Sequence, residues 1–557
     1  NADVHAYSVD FVGGELYDIY FLGAEWPPIQ STTGDFAWSS DGSFIFYGTK
    51  DHVQRPYRVW IHKNGTHSSQ DICIFEEKDD VFEVSFEISR CRSYFILHAT
   101  STETTEVHLL NLRDFESTSF VKEVIIEQLK CVRQREHGVR YTVAPHPNGH
   151  LYILTNFDGA KNNALLRLPA STNIMAVEFS KCEVVVQHRP DTFLESVEVF
   201  QEGLVLTGRE NGLSQIWTML LNNNDCSLRQ VVMLDPIYAI SLSWENNIFE
   251  SQWIRVAYST PHKPQLTLDI NLKSHTQVIL TQETVTEYDP DEYEVERMVA
   301  NSFDNTPVHI SVISRKGVKR DSSNPVLLYG YGAYGACNEP RFRRRWIPLL
   351  KRGVVCCIAH IRGGSENGQL WYETGGKYLT KRNTFMDFIA CAEHLIDQGL
   401  TNPNKIAIEG RSAGGLLIGA VLNMRPDLFK VAIADVPFVD AMTTMCDASI
   451  PLTAGEWEEW GNPNEYRFHE YILSYSPIDN VRAQSYPHIL IQAGLHDQRV
   501  QFWEPLKWAS KLRSLTTSDN DVLVKIDSHA GHFSASDRYR YLEEMAFEQS
   551  YILSKIQ

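Results

Sequence analysis

A serine hydroxyl attacks a carbonyl efficiently only when a base takes its proton and nearby donors accept the negative charge that the attack creates. The stretch Lys405-Ile-Ala-Ile-Glu-Gly-Arg-Ser-Ala-Gly-Gly-Leu-Leu-Ile-Gly419 offers one serine in such a setting. An apolar run reads as a short buried strand, Gly410-Arg-Ser-Ala-Gly414 follows, and a small-residue apolar helix start comes next. G-x-S-x-G alone is a common pattern, but between a strand and a helix it describes a nucleophile elbow. Such a turn is tight, so the residues flanking the serine must be small, and glycine lets strand and helix approach closely. Ser412 then stands at the tip of the turn, with the N–H of Ala413 free to bind an oxyanion.

Two further groups are required downstream, an acid and then a histidine, each on a loop after a strand. The strand His488-Ile-Leu-Ile-Gln-Ala493 leads into Gly494-Leu-His-Asp-Gln-Arg499, which puts Asp497 at a strand's C-terminal end. The strand Val522-Leu-Val-Lys-Ile526 leads into Asp527-Ser-His-Ala-Gly-His-Phe533, where two histidines compete. His532, after a glycine and ahead of a helical pattern, is the better placed base, and His529 is the alternative. His496, beside the acid, reads as a loop contact.

A second feature concerns charge. In Gly455-Glu-Trp-Glu-Glu-Trp-Gly461, Glu456 and Glu458 are two residues apart and point the same way if the loop is extended. Two converging carboxylates repel unless a cation joins them, and an Arg or Lys side chain would gain charge-assisted hydrogen bonds there. Trp457 and Trp460 could shield it. An acidic run of this kind also serves as an ordinary solvated surface, so the residues alone leave both readings open.

The elements that carry these groups change character along the chain. The first half repeats a short apolar strand, a polar turn and a second strand. Examples are Tyr7-Ser-Val-Asp10 with Leu16-Tyr-Asp-Ile-Tyr20, Phe44-Ile-Phe-Tyr47 with Tyr57-Arg-Val-Trp60, and Leu204-Val-Leu-Thr207 with Gln215-Ile-Trp217. Six such units are visible at a spacing of four-stranded propeller blades, which predicts a six- or seven-bladed ring; a tandem of β-sandwiches is the competing architecture. After Glu283 buried strands alternate with helical patterns such as Thr384–Glu393, the signature of a mostly parallel sheet. The expected division is an all-β propeller over 1–284 and an α/β-hydrolase domain over 285–557. The chain opens inside strand-like sequence without an initiator methionine, so an N-terminal segment, missing or supplied separately, is expected to complete the ring.

Composition narrows the functional classes. Hydrophobic residues at 43% and charged ones at 22% describe a globular protein, and no apolar run approaches the ~20 residues that span a bilayer. A net charge of −19 argues against nucleic acid as a partner and suits a cationic ligand, although solubility alone also explains it. The ten cysteines have no regular spacing and no C-x-x-C pair, which points to a reducing, cytoplasmic setting. No phosphate-loop glycine spacing and no zinc-ligand histidine spacing occurs, so neither cofactor nor metal is implied.

The C-terminal half closely resembles the prolyl oligopeptidase family of serine peptidases. The matching motifs run from Tyr329-Gly-Tyr-Gly332 and Arg362-Gly-Gly-Ser-Glu-Asn-Gly368 through Pro437-Phe-Val-Asp440 and Trp503-Glu-Pro505 to Gly531-His532. The first half matches the family's propeller more weakly. The resemblance implies a Ser412, Asp497 and His532 triad, with two extra residues ahead of the histidine keeping His529 in view. It implies an oxyanion hole made by the Tyr331 hydroxyl and the Ala413 N–H. In family members that cleave after basic residues, two glutamates matching Glu456 and Glu458 hold the substrate cation; proline-selective members lack them. Arg499 matches an arginine that binds a substrate backbone carbonyl, or else it is a structural ion-pair partner. The expected activity is therefore hydrolysis of short peptides after Arg or Lys, without a cofactor, the propeller limiting substrate size. The alternatives are a proline-specific or acylaminoacyl peptidase on the same scaffold, and a non-catalytic propeller scaffold.

Overall fold

The computed structural model describes residues 4–113, 120–169, 177–221, 227–533 and 538–557. The first half forms five antiparallel sheets in chain order, one of six strands followed by four of four strands. The inner strands of these sheets bury apolar side chains, and neighbouring sheets pack those faces together. Phe46 of the first sheet stacks on Phe95 of the second with ring centroids 4.1 Å apart. Tyr152 and Leu165 of the third meet Leu206 and Trp217 of the fourth in one apolar cluster.

The count of repeating units differs from the sequence reading. The hairpin His5–Val9 with Tyr17–Leu22 and the unit around Phe44 and Tyr57 were expected as separate blades; they share the six-stranded sheet. The reason is edge pairing. Tyr17–Leu22 pairs antiparallel with the ten-residue strand Ile29–Trp38, which in turn pairs with Phe44–Lys50 after a register shift between Thr32 and Phe36. A two-stranded hairpin has unpaired backbone groups on both edges, and joining its neighbour satisfies one of them.

The last propeller strand is Gln277–Gln282, and the next sheet opens at Tyr293. Its eight strands are β1 (Tyr293–Asn301), β2 (Pro307–Arg315), β3 (Val326–Tyr329), β4 (Val355–His360), β5 (Ile406–Arg411), β6 (Val431–Asp435), β7 (His488–Gly494) and β8 (Val522–Asp527). They lie in the order β1-β2-β4-β3-β5-β6-β7-β8, antiparallel at the first two pairings and parallel from β4 onward. The central strands are buried on both faces, as parallel strands between helix layers must be. Helix α1 (Arg382–Asp397) and helix α2 (Ala413–Met424) cover one face with Phe385, Phe388, Leu416 and Leu417, none of them exposed. In such sheets the carboxyl ends of the strands form the site edge. Four of those ends carry sequence-predicted groups: Tyr331 after β3, Ser412 after β5, Asp497 after β7 and His532 after β8.

The sheet and α2 meet through glycine. A Cβ on Gly415 would lie 2.4 Å from Pro437 Cα and Cβ. Gly415→Ala is therefore expected to lower unfolding free energy by about 1–3 kcal/mol, as overpacked cores do. A denaturant midpoint equal to that of the parent chain would contradict this packing.

Candidate active site

Ser412 sits between β5 and α2 with φ 58° and ψ −119°, a conformation that few non-glycine residues adopt. Such a residue costs on the order of 1–3 kcal/mol and persists only where its surroundings fix it. Here they do. The Ser412 N–H donates to the Asp435 carbonyl at 2.9 Å, and its own carbonyl accepts from Gly415 at 2.8 Å and Phe438 at 3.2 Å. A Cβ on Gly410 would stand 2.2 Å from the Gly414 carbonyl oxygen, so nothing larger than glycine fits at position 410. Ala413 opens α2, and an N–H in a first helical turn has no carbonyl four residues back within the helix.

Asp497 is buried in the turn after β7. Its Oδ1 accepts the backbone N–H groups of Arg499 and Val500, each at 2.9 Å, and its Oδ2 lies 2.8 Å from His532 Nδ1. With one oxygen fixed by the main chain, the other can orient only one ring edge, which leaves Nε2 as the nitrogen for proton transfer. His532 is buried, and Arg411 ties its carbonyl to Asp435. His529 is exposed, with its backbone N–H on Asp527, so the contact to Asp497 separates the two competing histidines. His496 contributes a backbone hydrogen bond to Ala530, at 3.0 Å.

Ser412 and His532 open on a cavity of about 630 Å³ between the two halves of the chain. Tyr331, Glu456 and Arg499 line it too, and the propeller adds Val81, Glu83 and Thr100 to Thr102. Burial pushes the Tyr331 phenol above its ordinary range, with help from the nearby Glu456 charge, so it stays a neutral donor. Arg499 does not stand free: it makes a two-point ion pair with Glu15 of the propeller at 2.8 and 2.9 Å. Both roles expected of this residue therefore remain compatible with its position.

The glutamate pair is where the sequence reading needs correction. Residues Thr453–Trp460 form a helix, α3, not an extended loop. Successive helical side chains turn by about 100°, so residues two apart diverge. Glu456 faces the cavity, whereas Glu458 accepts the backbone N–H of Glu103 in the propeller at 3.0 Å. The companion carboxylate on the cavity side is Glu459, one helical turn on from Glu456. Reading Gly455–Gly461 with a period of 3.6 would have found it. Tyr334 and Glu83 also line the cavity and carried no motif-level signal, whereas Phe438, which lines it too, lies in the Pro437–Asp440 motif.

The electrostatics favour a cation. Burial raises Glu456 to about 7, with repulsion from Glu459 and Glu83 adding to it and hydrogen bonds from Tyr334 and Trp460 opposing it. Those bonds, from Tyr334 Oη and Trp460 Nε1 to the same Oε2, are both 2.7 Å. Burial likewise raises Glu83, which has no ion pair or side-chain hydrogen bond among the described residues. Elsewhere, Glu106, His108 and Cys131 bring one potential metal-ligand atom each within 4.8 Å of the others, across two propeller strands rather than in a sequence motif. Burial pushes that thiol up to about 12, and Glu106 is already held by His108 and the Arg135 amide.

The family model of the prolyl oligopeptidase family matches residues 340–557, and that of its N-terminal β-propeller domain matches residues 1–283. The chain is 39% identical to Protease 2 of Moraxella lacunata over 99% of its own length and 78% of the relative's. It is 36% identical to dipeptidyl aminopeptidase BI of Pseudoxanthomonas mexicana, covering 74% of that protein. Oligopeptidase B from Leishmania major superposes with a TM-score of 0.94 at 45% identity, over all of this chain and 77% of the other. Oligopeptidase B from Trypanosoma brucei, in a closed form with covalently bound antipain, gives the same score and identity over 99% of this chain and 77% of the other.

If Asp497 orients His532, Asp497→Asn lowers kcat by about 10⁴-fold, while His529→Ala leaves steady-state turnover close to that of the parent. The reverse ranking of the two variants would transfer the base to His529.

Proposed function

The chain belongs to the prolyl oligopeptidase family and is a serine peptidase, and from that footing we propose that it cuts short peptides on the C-terminal side of Arg or Lys. The observation that carries the specificity is Glu456, a carboxylate sunk in the cavity that Ser412 and His532 share. Trp460 and Phe438 pack together beside it with ring centroids 5.4 Å apart, and Tyr334 meets Trp460 edge-on at 5.8 Å. An apolar wall with one carboxylate at its end suits a long stem with a cationic tip.

In this reading Ser412 Oγ attacks the carbonyl carbon of the basic residue while His532 Nε2 takes the hydroxyl proton. The resulting oxyanion accepts hydrogen bonds from the Tyr331 hydroxyl and the Ala413 N–H. Collapse breaks the C–N bond, and His532 hands the proton to the departing amine. Water, deprotonated by the same imidazole, then attacks the ester and releases the acid and Ser412. Asp497 stays ionised and balances the imidazolium in each half-reaction. Arg499, held by Glu15 and lining the cavity, would in this reading bind a substrate carbonyl.

The propeller supplies the other wall, which favours short or unfolded peptides. Ion pairs cross between the halves beside the cavity, Lys377 to Glu103 at 2.9 Å and Arg140 to Glu373 at 2.6 Å. A cytoplasmic setting agrees with the nine described cysteines, all free, and no helix among the described residues is long and apolar enough to cross a membrane.

Losing a charged hydrogen-bond partner costs about 1.5–3 kcal/mol, on the order of 10- to 100-fold. Glu456→Gln is expected to cut kcat/KM by that factor for an Arg reporter amide and little for a neutral one; Glu458→Gln has a much smaller effect on the ratio of the two. Faster turnover of a Pro reporter by the parent protein would defeat the assignment.

The pH dependence has a definite sign. Below about 7 the Glu456 carboxyl is protonated in the free protein and offers no countercharge. The ratio of kcat/KM for Arg over neutral reporters therefore rises with pH through about 7 and levels off, the titration of the triad cancelling in the ratio. In Glu456→Gln the ratio is low and flat, and a flat parent profile would remove Glu456 from substrate selection.

A further inference from the structure

The turn that carries Tyr331 is held by a buried ion pair. Lys381, at the start of α1, and Glu459, on α3, each have side chains 1% exposed, with Nζ 3.2 Å from Oε1. Lys381 Nζ also donates to the Gly332 carbonyl at 2.7 Å, and Glu459 Oε1 accepts the Tyr334 N–H at 3.2 Å. Glu459 Oε2 accepts the Tyr372 hydroxyl, and the Lys381 ammonium lies 4.6 Å from the centre of the Trp460 ring. The pair thus grips one peptide acceptor and one peptide donor within three residues of Tyr331. Burying two charges recovers little or no stability on balance, since desolvation offsets their attraction. What the pair does provide is direction, because both charges end on backbone groups of one turn.

The same turn is tied to the cation site. Tyr334 gives its N–H to Glu459 and its hydroxyl to Glu456, two carboxylates one helical turn apart on α3. We propose that Glu459 and Lys381 are positioning residues for the oxyanion hole: they fix the Tyr331 turn against α3, so that the phenol is already aimed where the negative charge will develop. This rests on the reading of Tyr331 as an oxyanion donor, and it gives the buried pair a role in the chemical step rather than in substrate capture. A donor misplaced by about 1 Å can cost on the order of 100-fold in rate. Because preorganisation of such donors matters in the transition state, the loss falls on kcat.

Three probes separate this from a general structural effect. A peptide aldehyde with a neutral terminal residue forms a hemiacetal with Ser412 and reports the oxyanion hole. A peptide argininal reports the hole and the cation site together, and benzamidine reports the cation site alone. Two variants are measured: Tyr372→Phe, which removes one hydroxyl from Glu459, and Lys381→Met combined with Glu459→Gln, which leaves no unpaired buried charge. The double variant is expected to raise Ki for both aldehydes and to lower kcat by about 10- to 100-fold, Tyr372→Phe by a few-fold, while benzamidine Kd and substrate KM move less than threefold. Aldehyde Ki values within twofold of the parent in a folded double variant would overturn the proposal. So would equal weakening of aldehydes and benzamidine in both variants. If the double variant does not fold, Tyr372→Phe decides, and unchanged aldehyde binding there would overturn it. Failure of benzamidine to bind the parent protein would count against the cation site, and the neutral aldehyde still decides the role of the pair.

Discussion

The close approach of β5 to α2 at Ser412 is the constraint on which the catalytic half depends. Gly410, Gly414 and Gly415 leave no room for side chains, so strand, turn and helix can touch, and the serine is held at a φ that an ordinary residue avoids. The backbone that enforces this conformation comes from the neighbouring parallel strand and the loop after it, through Asp435 and Phe438. The strain thus belongs to the whole sheet edge, not to the turn alone. Once the serine is fixed there, the base must come from β8 and its orienting acid from β7, the two strands that continue the sheet on the same side.

A second physical theme is the management of negative charge in an enclosed space. Glu456, Glu459 and Glu83 all face the cavity, but they are not equivalent. Glu459 is neutralised by Lys381 and tied down by Tyr372 and a backbone amide. Glu456 has two neutral donors and, among the described residues, no cation, and burial holds it near half-ionisation at neutral pH. One carboxylate is committed to architecture and the other is left with an unmet charge, which is what selection of a cationic substrate calls for. Glu504 repeats the architectural pattern behind the cavity: fully buried and raised to about 7 by that burial, it accepts from Thr444 and the amides of Val439 and Asp440, securing the loop that carries Phe438.

Much of this was legible in the sequence, for a physical reason. The elbow, the triad acid and the base occupy short segments whose local pattern (strand, then glycine-rich turn, then helix) is set by neighbours in the chain. The alternation of strands and helices after Glu283 gave the second sheet, and the propeller theme was visible as a repeat. What failed depended on geometry the chain does not write locally. Glu458 was paired with Glu456 by assuming an extended backbone; helix α3 turns it toward the propeller and brings Glu459 forward. The first hairpin was counted as a separate blade because edge pairing between Tyr17–Leu22 and Ile29–Trp38 leaves no local signature. Lys381 lies 78 residues from Glu459, Tyr334 lies 122 from Glu456 and Glu83 lies 373 from Glu456, and only the folded chain brings them together.

The central claim is that a cation enters the cavity beside Ser412 and fixes where the chain is cut. Mass-spectrometric mapping of products from a defined mixture of short peptides, run beside a folded protein, tests it most directly. The account predicts new carboxyl termini at Arg and Lys, none of them formed in the Ser412→Ala protein, and no cleavage of the folded protein. Cuts after Pro, or cuts without regard to a basic residue, would contradict it.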